Sequence, residues 1–197
     1  MNTSVNEWNE LYRALSARQL PWESGAPSPT LVRLVQDRTI HGRVLDLGCG
    51  LGTHSIWMAT EGLSIVGVDV SEAAIRQAEH RGRTAGVTVA WLVADGKNLP
   101  FDNNSFNAVF DRGTYHHQGI DKERYVREVM RVLKPGGYYL LLAFHPSMHW
   151  PKSVREDEVR RMFEPAGEVV WQGEETHLQP DGIRVRLLAV LIRKHHA

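Results

Sequence analysis

The 197-residue chain has one cysteine, Cys49. An internal disulfide is therefore impossible, and such sparse cysteine use fits a reducing compartment. The chain also has no excess of either charge: Lys+Arg and Asp+Glu number 23 each. Binding nucleic acid or an anionic membrane rests on many basic contacts, so a neutral chain is a poor candidate for either. No run approaches the roughly 18 apolar residues of a membrane span. The opening stretch MNTSVNEWNELYRAL lacks the apolar core of a signal peptide. Together these absences set the expectation of a cytoplasmic protein. There is no internal repeat, no low-complexity segment and no signal of an oligomeric state. What is present, 42% hydrophobic and 23% charged residues, suits one globular domain with its own core.

Periodicity divides the chain into elements. Trp8, Leu11, Tyr12 and Leu15 recur at helical spacing, which predicts an amphipathic helix over 4–18. The prolines of PWESGAPSP, Pro21 to Pro29, make a loop, and Thr30 to Asp37 reads as a second helix. Strands and helices then alternate. RVLDL is a strand followed by a helix from His54 to Glu61, and SIVGVDV is the next strand. Ser71 caps a helix that ends at Gly86. VTVAWLVAD and FNAVFD are the third and fourth strands. Asp121 caps KERYVREVMRVL, whose Val126, Val129, Met130 and Leu133 form one apolar face. KPGG stops that helix and turns into the strand YYLLLAF. HPSMHWPKS is a loop and VREDEVRRMF a helix. EVVWQGEETHL and VRLLAVLIRK then flank QPDGI, where Asp181-Gly182 signals a turn. Short apolar runs between helices call for a parallel sheet covered on both faces. The expected fold is α/β, a Rossmann-like doubly wound, mostly parallel sheet of seven strands closed by a C-terminal antiparallel hairpin. It forms a single domain over 1–197, with residues 1–40 as an N-terminal helical lid and 41–197 as the core.

Chemistry is signalled first by VLDLGCGLGTHSIWMA, Val44 to Ala59: an apolar strand ending in Asp46, glycines at 48, 50 and 52, then a helix. A hydride-carrier fold places G-x-G-x-x-G after its first strand. Here Thr53 stands where the third glycine of that pattern would fall. The Gly-Lys-Ser/Thr of a phosphate loop is absent too, and no lysine follows the glycines until Lys97. A tight turn that packs helix on strand explains one or two of the glycines, but not the acid before them.

VLDLGCGLG resembles the first motif of class I S-adenosylmethionine-dependent methyltransferases. The likeness continues in order through VGVDVS, VADGKNLPF, FNAVFDRG and VLKPGGYYLLL, and covers residues 43–145. It implies S-adenosyl-L-methionine as the methyl donor. Ligands of open α/β sheets sit at the carboxyl ends of the strands, where Asp46, Asp69, Asp95 and Asp111 are expected. By resemblance, Gly48 and Gly50, with Cys49 between them, let the backbone approach the donor's amino-acid moiety. Asp69, followed by Val70, accepts the ribose hydroxyls. Asp95, flanked by Ala94 and Gly96, meets the adenine amino group. Asp46 holds either the loop or the donor's ammonium through a water. Cys49 is small packing rather than a nucleophile, and Trp57, Trp91 and Phe106 read as core.

PWESGAPSP further resembles the segment before the first strand in thiopurine and tellurite-resistance methyltransferases, small enzymes acting on small nucleophiles. That likeness places Trp22 over the donor or acceptor pocket, where an aromatic face favours a sulfonium; the alternative is a plug between the N-terminal helices and the sheet. The loop DRGTYHHQG after the fourth strand is the expected acceptor site, with Tyr115, His116 and His117 as candidates to orient or deprotonate the acceptor. His145 and His149 are candidates to line the same pocket. The histidine spacing matches no standard zinc site, so no metal is expected. The function expected is methyl transfer to a small-molecule S, O or N acceptor by in-line displacement. The alternatives are a nucleic-acid or protein methyltransferase, a nicotinamide oxidoreductase, and a donor-binding protein without turnover.

Overall fold

The computed structural model describes residues 4–117, 121–179 and 182–196; Asp181 of the expected turn lies outside them. The elements, in order, are α1 (Val5–Ala14), α2 (Pro29–Gln36), β1 (Arg43–Leu47), α3 (Thr53–Thr60), β2 (Ser64–Asp69), α4 (Glu72–Thr84), β3 (Ala90–Val93), β4 (Phe106–Arg112), α5 (Lys122–Val132), β5 (Leu133–Phe144), α6 (Glu156–Phe163), β6 (Gly167–Leu178) and β7 (Arg184–Lys194). They build one seven-stranded sheet in the order β3-β2-β1-β4-β5-β7-β6. The first five strands run parallel, and β7 is antiparallel to both β5 and β6. This matches the expected architecture. Among the described residues no helix is long and apolar enough to cross a membrane.

Alternation along each strand sends successive side chains to opposite faces. Leu45, Val109, Tyr139 and Leu141 pack on one face with Val126, Val129 and Met130 of α5 and Phe163 of α6. Val44, Phe110, Leu140 and Leu142 pack on the other with Leu31 and Leu34 of α2 and Met58 of α3. Side-chain caps start the helices at Ser71 and Asp121 as expected, and also at Ser4 and Ser28; each accepts a first-turn N–H. Two elements are shorter than expected. α1 stops at Ala14 because the backbone is extended at Leu15, and a 3₁₀ turn, Ala17–Gln19, follows. β3 has no ladder partner before Ala90. Lys134–Gly137 interrupt the β4–β5 register between the pairs Phe106–Leu133 and Ala108–Tyr138.

The glycine turn after β1 is a packing device. Gly48, Gly50 and Gly52 all have positive φ, at 75°, 53° and 75°, which side chains with a Cβ adopt at a cost. Each also sits where a Cβ would collide. At Gly48 it would lie 1.8 Å from Thr114 Oγ1, at Gly50 2.9 Å from Tyr12 Oη, and at Gly52 2.5 Å from the Trp91 ring. The same ring lies 2.6 Å from a Cβ built at Gly67. Trp91 is thus slotted between glycines of the turn and of β2, half-buried and outside the three core clusters rather than in the core as expected.

The end of β4 is held by Asp111, and here the structure corrects an expectation. Asp111 is fully buried and does not line the cavity at the strand ends. Its carboxylate accepts from Thr114 N (2.8 Å), Tyr115 N (3.1 Å), Tyr125 Oη (2.6 Å) and Tyr139 Oη (2.7 Å). Burial, partly offset by the tyrosine hydroxyls, pushes its carboxyl up to about 6. It joins the loop after β4 to α5 and β5. Tyr115 is a second correction: it is fully buried, packed against Tyr125 and Phe163, with its hydroxyl 3.2 Å from Glu158 Oε1. Its phenol faces the core and cannot orient an acceptor.

We expect Asp111→Ala to lower unfolding free energy by about 3–5 kcal/mol, since it strands two buried hydroxyls and two buried N–H groups. Chemical denaturation measures this directly; a loss below about 1 kcal/mol would mean the four bonds are not made together.

Candidate active site

A cavity of about 390 Å³ opens at the carboxyl ends of β1, β2, β4 and β5. Gly48, Asp69, Val70, Ala94, Asp95 and Gly96 line one end, and Arg112, His116, His117, Phe144, Lys152 and His177 line the other. Trp8, Tyr12, Pro21 and Trp22 of the N-terminal segment also line it.

Asp69 anchors the first end. Its carboxylate accepts from Gly50 N (2.9 Å) and Ser71 N (2.8 Å), tying the glycine turn to the start of α4. Each oxygen keeps further acceptor capacity toward the cavity. Burial raises its carboxyl above the usual range. Asp95 is exposed enough to bind from solvent, and its Oδ1 accepts from Lys97 N at 2.9 Å. Asp46, Cys49 and Gly50 lie behind this end, in a small secondary cleft of about 40 Å³ beneath Tyr12 and Trp22. The Asp46 carboxylate accepts from Ser55 Oγ at 2.5 Å, locking α3 to β1. Burial, reinforced by Asp111 and Asp69, pushes it up to about 7. Burial likewise pushes the Cys49 thiol up, leaving it unreactive.

The N-terminal segment closes over both ends. Trp22 Nε1 donates to Tyr12 Oη at 3.1 Å, and Trp22 stacks edge-on against Trp8 and Tyr12. Its carbonyl accepts from Arg112 Nη1 at 2.7 Å. Asn9 accepts from Ser71 Oγ and Ala73 N, both at 3.0 Å, at the start of α4. Buried Glu175 on β6 accepts from Ser28 Oγ and Thr30 N. Trp22 is therefore at once a cavity wall and a plug, with its aromatic partners Trp8 and Tyr12. Those partners sit on α1 and were legible only as its apolar stripe.

The histidines separate by environment. His116 lines the cavity, stacked on Phe144 at 4.0 Å. Its Nδ1 accepts from Phe144 N at 3.2 Å. A neutral imidazole has one donor and one acceptor nitrogen, so Nε2 carries the hydrogen. Burial, with Lys152 and other cations nearby, pushes the ring down to about 3. His116 is thus a neutral N–H donor and not a general base, which corrects one of its two expected roles. His117 also lines the cavity, beside the Trp8 ring at 5.0 Å. His145 and His149 do not line it. His145 lies against Glu174 (3.2 Å) and Ser147, and His149 turns back to the Ser147 carbonyl. His177 of β6, which no pattern singled out, does line it. Its Nε2 lies 3.1 Å from the Pro21 carbonyl and so must donate. Arg112 and Lys152 were likewise missed, because only folding brings the end of β4, the loop after β5 and β6 together.

We expect His116 to keep a protonated Nε2 and an unprotonated Nδ1 from pH 5 to 8 in ¹⁵N-detected NMR. The folded value lies below the unfolded one, so the neutral form persists until acid well below pH 5. An imidazolium at His116 at pH 6 would contradict the assigned tautomer.

Comparison with known proteins adds to this geometry. A family model described as a methyltransferase domain matches residues 44–137. The 2-heptyl-1-hydroxyquinolin-4(1H)-one methyltransferase of Mycobacteroides abscessus is 32% identical over 162 residues, covering 77% of this chain and 71% of that protein. The 27-O-demethylrifamycin SV methyltransferase of Amycolatopsis mediterranei is 37% identical over 98 residues, 48% of this chain and 36% of that protein. Among solved structures, one from work on the conversion of a disulfide bond into a thioacetal group during echinomycin biosynthesis has a TM-score of 0.87. It is 24% identical and covers 98% of this chain and 93% of that one. TehB from Haemophilus influenzae has a TM-score of 0.69 at 18% identity, covering 84% and 61%; both likenesses show the fold.

Proposed function

The chain belongs to the methyltransferase-domain family, and we propose that it transfers a methyl group from S-adenosylmethionine to a small-molecule acceptor. The observation that carries the reading is the cavity itself. Carboxylates border the end formed by β2 and β3, and neutral or basic groups border the end formed by β4 and β5.

The residues fit the donor. Asp69 keeps two acceptor positions for a diol, while Val70, Ala94, Asp95 and Gly96 supply a narrow slot in which Gly96 is required: a Cβ there would lie 2.7 Å from the Tyr125 ring. A dinucleotide fits poorly. Its pyrophosphate would need the N–H groups of the turn and the start of α3. The Gly50 N–H is spent on Asp69, and Glu23 already stands beside α3, accepting from Thr53 Oγ1 at 2.6 Å. When bound, S-adenosylmethionine supplies a methyl group on a cationic sulfur.

The chain's own contribution is to position and to exclude water. Holding two reactants in line supplies up to about 7–11 kcal/mol of a barrier. Trp8, Tyr12 and Trp22 roof the cavity, and residues 1–40 act as the lid of a single domain. Phe144 and His116 form the aromatic floor of the acceptor end, where the His116 Nε2–H is available to the acceptor. His117 flanks the same space.

The acceptor class follows from the site and its relatives. The quinolone and rifamycin enzymes named above act on small molecules, and Trp8, Tyr12 and Trp22 roof this cavity. The likeness of Pro21–Pro29 to thiopurine and tellurite-resistance enzymes supports the same class through the lid it forms. The neutral chain and single cysteine support a cytoplasmic enzyme that does not act on nucleic acid.

S-adenosylhomocysteine is expected to bind at micromolar levels and raise the melting temperature by mass action. Asp69→Ala should weaken it roughly 10–100-fold, the worth of one or two hydrogen bonds to a charged group. Calorimetry that showed NADH binding and no adenosylhomocysteine binding would refute the reading.

A further inference from the structure

The acceptor end of the cavity carries positive charge, and no carboxylate lines it. Arg112 and Lys152 both line it. The Arg112 guanidinium is bound to a neutral group, the Trp22 carbonyl at 2.7 Å. Among the described residues, neither side chain has a carboxylate within ion-pair distance. Glu175 and Glu23 support the Arg112 charge from farther off, and neither lines the cavity. The carboxylates that do line it, Asp69 and Asp95, stand at the opposite end. His116 lines the same cavity, within electrostatic reach of both cations, and its Nδ1 lone pair is spent on the Phe144 N–H, which leaves Nε2–H as its free donor. Lys152 is partly buried, and that burial lowers its ammonium below the ordinary range. A partly desolvated cation without a partner costs stability, and an anion placed beside it recovers that cost. Aromatic rings share the cavity with these donors: Phe144 is stacked on His116, and Trp8 and Trp22 also line the wall.

We propose that this end of the cavity binds the acceptor as a planar aromatic oxyanion, its ionised hydroxyl, N-hydroxyl or carboxyl oxygen held by Lys152, Arg112 and the His116 Nε2–H. The proposal rests on the methyltransferase reading and narrows its acceptor class. It accounts for a cavity in which the best-placed histidine is locked as a donor: an acceptor that enters already ionised has lost its proton to solvent, and no side chain has to take it. Lys152 is then a specificity-determining residue, discriminating ionised from neutral acceptors by charge.

The test uses 4-nitrophenol, whose anion absorbs in the visible, and 4-nitroaniline, a neutral probe of the same size. Both are titrated into the full-length protein saturated with S-adenosylhomocysteine. We expect 4-nitrophenol to bind about tenfold or more tighter than 4-nitroaniline, in line with a charge-assisted contact. Its absorbance should show a bound pKa lowered by about one unit, because a site that favours the anion tenfold shifts the equilibrium by that much. Lys152→Met should remove most of that shift while adenosylhomocysteine affinity stays unchanged, and Lys152→Arg should restore it. An unchanged or raised probe pKa in the wild type would overturn the proposal. So would equal binding of the two probes, or a Lys152→Met variant that keeps the shift. Failure to bind adenosylhomocysteine would strike instead at the methyltransferase reading on which the proposal rests.

Discussion

The carboxylate of Asp111 is the joint on which the site depends. A buried carboxylate with four donors converging on it has one low-energy position, and the donors come from three segments, the loop after β4, α5 and β5. The Thr114 and Tyr115 N–H groups fix the loop after β4, and the Tyr125 and Tyr139 hydroxyls fix that loop to α5 and β5. With Tyr115 drawn into the core, the next residue, His116, is turned out over Phe144. With Thr114 fixed, its hydroxyl bonds the Leu47 carbonyl at 3.0 Å and occupies the space that a side chain at Gly48 would need. One buried acid thereby sets both the acceptor loop and the glycine turn.

Asp69 plays the matching part at the donor end. It closes the turn through Gly50 N–H and the next helix through Ser71 N–H, yet remains at the cavity surface. The two acids look alike in sequence, each ending a parallel strand. They differ in how many internal donors reach them, and that difference separates a residue available to a ligand from one consumed by the fold. Asp46 receives one such donor, Ser55 Oγ.

The roof is the third component. Its residues pack as a small core of their own, Tyr12 and Leu20 against Leu51, Ala73 and Ala74. The polar ties from Arg112, His177 and Glu175 fasten it to the sheet. One of those ties comes from β4 and two from β6, on either side of β5 and β7, so the segment spans the cavity rather than resting on one rim. The roof and the charged wall are coupled here, because Arg112 serves both: its guanidinium holds the Trp22 carbonyl while facing the acceptor end.

The alternation of short apolar runs with capped helices was enough to give the order and type of the elements, because strand and helix periods are local properties and cap residues act within one turn. The glycine turn and the acids at strand ends were legible for the same reason, and with them the donor end: Asp69, Val70, Ala94, Asp95 and Gly96 all come from two consecutive strand–turn units. The acceptor end was not legible in that way. Tyr115, His116 and His117 are adjacent in sequence, but which of them faces the core is decided by Asp111, through bonds to residues up to 28 positions away. That His116 is a donor depends on the N–H of Phe144, also 28 positions away. Arg112, Lys152 and His177 carry no motif, and they meet only because β7 inserts between β5 and β6. Local pattern determines the strands and their turns. Which side chains share a cavity, and in which protonation state, is set by burial and by hydrogen bonds between distant segments, which exist only once the sheet has closed.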